Sequence, residues 1–248
     1  MGAVHGVHLK YVAMSAASAV TAVRYPDPDL ATFEHSAFDA FVICCFWYAA
    51  FVHGLIATLF IARRGEWILG KSPETGVVPL WSYVVFAAFH IPTWLYTYVH
   101  TQISKHEGVP VASEVAPGWW IGGCYASELG KKRWAATIDL TTEFTESCFD
   151  TSDRYLLLRC WDGVPPKPHD IERAARVAAE ASLRGGDIMV HCAHGRGRST
   201  CVMVACLVRA GLFATWREAF AACEKRRKGV KLNGKMRAAL DEWAKLSG

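Results

Sequence analysis

At 248 residues the chain has room for one domain of ordinary size, about 100 to 150 residues, and a second region of similar length. Its 52% hydrophobic content, with 10 Trp and 12 Phe, is high for a soluble enzyme, and nine cysteines without a CxxC pair exclude a disulfide framework and point to reduced, mostly structural thiols. The net charge of +4, with no zinc-finger spacing and no aromatic–basic platform, points to phosphate or an anionic membrane surface and not to nucleic acid.

Residues 1–36 read as an N-terminal segment. No acid occurs before Asp27, and an alanine-rich stretch follows Lys10, which suits a targeting segment, an interfacial segment or a disordered terminus. The start MGAVHG lacks the Ser or Thr at its sixth position that N-myristoylation prefers.

Residues 37–104 read as a membrane region. Residues 40–62, AFVICCFWYAAFVHGLIATLFIA, carry no formal charge and only His53 as a strongly polar group. A helix of that length crosses a hydrocarbon layer of about 30 Å, so a transmembrane helix is predicted. A second uncharged run, residues 77–100, is rich in Trp and Tyr, which favour the membrane interface, and is the candidate for a second span. Pro92 leaves a tilted span and a re-entrant segment both open. Arg63 and Arg64 after the first span place the connecting loop in the cytoplasm, whereas the cationic excess of the C-terminal region draws that region to the same side. The two cues compete if both runs span. A multi-pass or hairpin membrane protein with a cytoplasmic catalytic region is expected.

Residues 105–116, small, polar and proline-containing, predict a linker. Residues 117–248 then alternate. WWIGGCY, WAATIDLT, YLLLRCW and DIMVHC predict four buried strands. The stretch HDIERAARVAAEASLRGG predicts a helix stopped by Gly185 and Gly186. Three more helices follow: STCVMVACLVRAG, TWREAFAACEKRRKG with Thr215 as N-cap, and NGKMRAALDEWAKL. The fold class is α/β, a central sheet flanked by helices, large enough for its own core.

The last strand runs into HCAHGRGRS, so residues 192–198 form a strand-to-helix loop. Free backbone N–H groups there, with the positive helix end, make an anion cradle from Ala193, His194, Gly195, Arg196, Gly197 and Arg198. Gly195 and Gly197 permit the tight path. The same field favours a thiolate at Cys192, making it a nucleophile at neutral pH. The planar fork of Arg198 suits two oxygens of a phosphoryl group better than Lys would. A leaving alkoxide also needs a proton, and Asp162, in the expected mobile, exposed loop WDGVPP at the end of an earlier strand, is the candidate acid. A Walker loop lacks its Gly-Lys-Ser/Thr here, and neither a zinc site on His191, Cys192 and His194 nor a thiol protease finds the spacing it needs.

HCAHGRGRS resembles the signature loop of the protein tyrosine phosphatase superfamily, His-Cys-five residues-Arg-Ser/Thr, and the Asp162 segment resembles the acid loop of its compact dual-specificity branch. The resemblance covers about residues 115–246. It implies a phosphatase-like α/β domain, a phosphocysteine on Cys192, phosphoryl binding by Arg198, and Asp162 as acid and then as base toward water. It further implies that Ser199 helps the thiolate depart, that His191 stabilises the loop, and that neither a metal nor another cofactor takes part.

Arg196 makes the loop similar to the GKGR arrangement of phosphoinositide phosphatases, and His194 could add a cation at acid pH. The run KRRKGVK, residues 225–231, suits either an anionic leaflet or a solvated helix end. The expected substrate is a phosphorylated protein bearing phosphotyrosine, phosphoserine or phosphothreonine. The alternative is a phospholipid, either a phosphoinositide or one resembling phosphatidylglycerophosphate. A membrane-tethered pseudophosphatase scaffold is the alternative of another class.

Overall fold

The computed structural model describes residues 6–25, 37–130 and 132–247. The first five residues and residues 26–36 of the expected N-terminal segment lie outside that description.

The catalytic region is built on a five-stranded sheet of order β1-β2-β5-β3-β4. The strands are β1 (Ala112–Ala116), β2 (Trp119–Gly122), β3 (Trp134–Asp139), β4 (Tyr155–Leu157) and β5 (Asp187–His191). β1 pairs antiparallel with β2, and β2, β5, β3 and β4 run parallel. Ile188, Met189 and Val190 of the central strand are all fully buried, as a strand covered on both faces requires. The first strand takes residues 112–116 out of the expected linker, because Ala112, Ser113 and Glu114 pair with β2. YLLLRCW supplies only three strand residues: the Cys160 carbonyl accepts from Arg198 at 2.8 Å instead of from a strand neighbour.

Four of the helices belong to this region: α5 (Pro168–Leu183), α6 (Arg198–Arg209), α7 (Trp216–Arg226) and α8 (Gly234–Ser247). Thr215 caps α7 as expected, its hydroxyl accepting from the Glu218 N–H at 3.2 Å. α6 is buried from Arg198 to Leu207, so the helix that begins at the anion loop is also the core of the domain.

The N-terminal part forms a helical layer of α1 (Val7–Arg24), α2 (Ala37–Ala62), α3 (Leu80–Val85) and α4 (Ala87–His106). Among the described residues, α2 is the one helix long and apolar enough to cross a membrane. Residues 77–100 are not one helix. The break falls at Phe86 and not at Pro92, which sits inside α4. The proline ring crowds the carbonyl four residues back, at Ala88, and the chain gives way just upstream of it.

Both ends of that second run touch the catalytic region. On one side Thr142 Oγ1 donates to the Glu66 carbonyl, the Glu146 N–H donates to the Gly76 carbonyl at 2.8 Å, and Trp161 Nε1 donates to the Arg64 carbonyl at 2.9 Å. On the other side Arg196 Nη2 donates to Ser104 Oγ at 2.9 Å. The run therefore leaves the catalytic region and returns to it. A run that begins and ends against the same region suits the re-entrant alternative better than a straight span.

The layer has two unlike faces. Inward, Val7, Tyr11, Ile56, Phe60 and Phe89 form one buried cluster that also takes in Trp161 from the catalytic region. Trp161 stacks on Phe60 with ring centroids 4.6 Å apart. Burying a side chain of this size contributes roughly 1.5–3 kcal/mol. Outward, Phe38, Phe51, Leu80, Ile91 and Trp94 are exposed, Leu80 at 79%. Large apolar side chains exposed in this number are what a lipid or a partner covers.

Candidate active site

The loops that meet at the site leave the C-terminal ends of parallel strands β3, β4 and β5, where open α/β sheets gather their ligand-binding residues. β5 ends at His191, and Cys192 follows, buried at 3% exposure. Around residues 193–196 every carbonyl is taken from outside the loop. Ala193 accepts from the Cys124 N–H at 3.1 Å, His194 from Arg227 Nη2 at 3.2 Å, Gly195 from Arg227 Nε at 2.8 Å, and Arg196 from the Lys231 N–H at 2.9 Å. In a planar trans peptide the N–H points opposite to the carbonyl, so the N–H groups of residues 194–197 turn inward. Gly195 is the residue this path cannot spare. Its φ is +67°, and a Cβ there would meet the Gly122 backbone at 2.6 Å.

Burial alone would raise the Cys192 thiol. The Arg198 charge, the Ser199 hydroxyl and the Ser199 and Arg196 N–H groups overcome it, and the thiol is held below its ordinary value. Ser199 Oγ lies 3.4 Å from Cys192 Sγ.

Arg198 is buried at the start of α6. Its Nη1 donates to the carbonyls of Leu140 and Cys160, both at 2.8 Å, and its Nη2 meets Glu143 Oε1 at 2.8 Å and Asp162 Oδ1 at 3.4 Å. Nε is buried and has no partner, which leaves a donor beside the thiol cavity. Burial works against the guanidinium charge, but Glu143 and then Asp162 more than offset it.

Asp162 is in place at the cavity wall, but its loop is not the free excursion the sequence suggests. Trp161 is buried in the helical layer, and Asn233 Nδ2 donates to the Gly163 carbonyl at 2.9 Å. The acid is anchored from both sides.

The cavity at the thiol, about 150 Å³, is lined by Cys192, Arg196, Arg198 and Asp162 together with Gly6, Val7 and Lys10 of the N-terminal layer and Tyr96 of α4. A second cavity of about 450 Å³ shares Gly6, Val7, Asp162 and Gly163 with it and is also lined by Phe60, Ile61 and Arg63 at the end of α2. His194 differs from its expected role. Burial first, then the charges of His100, Arg196, Arg198 and Lys10, push its imidazole down to about 3, so it adds no cation at ordinary acid pH.

His191 lies behind the loop. Its Nε2 is paired with Glu146 and is 3.7 Å from Asp139 Oδ1, while Lys71, from the connection between α2 and α3, is paired with Asp139 and donates to Thr141 Oγ1 at 2.8 Å. Burial would lower the His191 pKa, but Glu146 and Asp139 raise it to about 9. Asp139, Glu146 and His191 bring three potential metal ligands within 4.8 Å of one another. The Lys71 ammonium already sits on Asp139, however, and with His191 protonated the cluster holds two cations against two anions. It is a closed ion-pair cluster and does not have the donor set of a cation site.

Several site residues escaped the sequence reading. Glu143 and Glu146 sit in TTEFTES at the end of β3, and a strand-end position was the signal that could have marked them. Arg227, inside the run read as a leaflet contact or a solvated helix end, is buried and braces the catalytic loop, also reaching the Pro110 carbonyl at 2.9 Å. Its exposed neighbours Lys225, Arg226 and Lys228 keep the solvated reading. Lys10 and Lys71 come from regions with no catalytic signature.

The geometry can therefore hold a phosphoryl group over a thiolate, with an acid beside it. Residues 130–245 match the family described as dual specificity phosphatase, catalytic domain. No curated protein matches the chain. Among solved structures, the chain is similar to human DUSP28, at 21% identity over 56% of this chain and 97% of that one, with a TM-score of 0.47. It is likewise similar to a mouse putative dual specificity phosphatase complexed with zinc tungstate, at 21% identity over 55% and 88%, with a TM-score of 0.48. The likeness to PTPMT1 in complex with PI(5)P is 18% over 55% and 96%, with a TM-score of 0.46. By the match over residues 130–245, the C-terminal part of this chain belongs to the dual-specificity branch of the cysteine-based phosphatases.

Proposed function

We propose that the chain is a membrane-anchored, cysteine-dependent phosphatase that removes the phosphomonoester of a lipid headgroup at the bilayer surface. The observation that carries this reading is that Gly6, Val7, Asp162 and Gly163 line both the thiol cavity and the larger cavity at Phe60 and Ile61 of α2, which among the described residues is the one helix fit to cross a membrane. On this reading a lipid held beside α2 would reach the thiol past these shared residues, whereas a phosphoprotein would meet α1 and Tyr96 at the cavity first. Dual-specificity protein phosphatase action uses the same chemistry and is the competing reading. The scaffold reading is disfavoured because thiol, guanidinium, acid and hydroxyl are all in place. On the positive-inside rule, Arg63 and Arg64 set the catalytic side in the cytoplasm.

The Cys192 thiolate attacks phosphorus, the S–P bond forms as the ester P–O bond breaks, and Asp162 gives its proton to the leaving alkoxide. Arg198 Nε and Nη2, with the inward N–H groups of the loop, hold the phosphoryl oxygens as charge spreads over them. Water then attacks phosphorus, Asp162 takes its proton, the S–P bond breaks, and the Ser199 hydroxyl donates to the departing thiolate. His191 orients the loop from behind.

Phosphate release by the full chain in mixed micelles, from lipid phosphomonoesters and from phosphopeptides, tests the reading with Cys192→Ser as control. Preference for lipids is expected. Preference for peptides overturns the lipid assignment, and release from neither that depends on Cys192 overturns the phosphatase reading.

A further inference from the structure

Among the described residues, two cations of the thiol cavity form no ion pair, although Asp162 and Glu143 act on Lys10 from farther away. The Arg198 charge is met by Glu143 and Asp162. Among the described residues, no carboxylate lies within 4.0 Å of Lys10 Nζ or of the Arg196 guanidinium. Lys10 Nζ instead lies over the rings of Tyr11 and Tyr96, 4.8 and 5.2 Å from their centroids, and Arg196 donates to Ser104 Oγ. Both side chains line the cavity that holds Cys192, and both bear on the ring of His194. A cation resting on aromatic faces inside a cavity is attracted by the ring quadrupoles while its N–H donors stay available.

We propose that Lys10 and Arg196 form a second anion subsite beside the Cys192 cradle, which binds another anionic group, a phosphodiester or a second phosphomonoester, on the molecule whose phosphomonoester is cleaved. Lys10 lies outside the family-matched residues 130–245, so the subsite is completed by the N-terminal layer. The inference rests on the phosphatase reading and adds a selection rule: at equal acyl chains, a headgroup with two anionic groups is taken before one with a single phosphomonoester. Lys10 would thereby make α1 part of substrate recognition.

Three full-chain proteins test it: wild type, Lys10→Gln and Lys10→Arg, assayed in detergent micelles with short-chain phosphatidic acid and with a short-chain phosphoinositide monophosphate or phosphatidylglycerophosphate. Loss of one charge-assisted contact should lower kcat/KM for the doubly anionic lipids about 10-fold through KM, lower it about 2-fold for phosphatidic acid, and be restored in Lys10→Arg. The phosphoinositide and phosphatidylglycerophosphate arms show which arrangement of the two groups fits. Equal falls for one and two anionic groups, or no fall, overturn the subsite. Binding of the same lipids to Cys192→Ser, with and without Lys10→Gln, decides the point without turnover. If wild type releases no phosphate, the phosphatase reading fails while this binding comparison still accepts or rejects Lys10.

Discussion

The sheet region and the helical layer are both rich in apolar residues, yet they use them differently. In the sheet region, apolar side chains face one another: β5 is buried on both faces and α6 is buried along most of its length. In the layer, α2 buries Ile56, Ala57 and Phe60 against the rest of the chain and leaves Phe38, Phe41 and Phe51 exposed. Stability governs the first pattern; the second needs an outside solvent or partner for one face and a site for the other. An apolar run is therefore not yet a statement about membranes, since what decides is which of its faces the protein covers.

The contrast is sharpest if chemistry belongs to the sheet-region loops and access to the layer. Asp162→Asn tests the first half. It removes the proton donor without removing the cradle, and it should slow substrates with poor leaving groups by about 10²- to 10⁴-fold. Aryl phosphates with good leaving groups should be slowed far less, because their departure needs no proton. Equal slowing across a leaving-group series would take the acid role away from Asp162. Such a result would also blur the division between the regions, since the acid loop is anchored in the layer through Trp161.

Lys71→Met asks whether the layer is an address or a structural part of the catalytic region. It strips the ammonium from a fully buried pair and leaves the Asp139 carboxylate facing Glu146, with only His191 to balance both. Breaking a buried pair by removing one partner typically costs about 3–5 kcal/mol. The melting temperature of the full chain, followed by loss of activity, should fall accordingly, and Asp139→Asn in the same chain should recover part of the loss. An unchanged melting temperature would mean that the connection between α2 and α3 only rests on the sheet.

What could be read from the sequence was local. Cys192, Gly195, Arg198 and Ser199 lie within eight residues, and a strand-to-helix loop with that content allows few other chemistries. Asp162 was legible because a strand end fixed its place. Glu143, Arg227, Lys71 and Lys10 were not, because each lies 35 to 182 positions from Cys192 in the chain and nothing in its own neighbourhood differs from a solvated charge. The second apolar run stayed open between a span and a re-entrant segment for a related reason: periodicity shows that a run is helical and uncharged, and cannot show that the helix breaks at Phe86 or that both ends of the run touch the catalytic region. The cluster behind the loop was likewise invisible as a cluster, although His191 itself was singled out.

His191 offers the gentlest test of the link between the regions. Glu146 and Asp139 hold its folded pKa near 9, above about 6.5 for an unstructured histidine. A group whose folded pKa is raised contributes stability that is complete below the unfolded value and is lost as pH rises through the folded one. Stability of the full chain should therefore decline from about pH 6.5 to about pH 9, with His191→Asn flattening the decline. Denaturant midpoints across that range would show it. As the imidazolium loses its proton, Lys71 is left alone with two carboxylates, so the same window should loosen the connection between α2 and α3, read as faster proteolysis of residues 63–79. A wild-type midpoint that holds level or rises across the window would place His191 outside the charge balance that joins the catalytic loop to the helical layer.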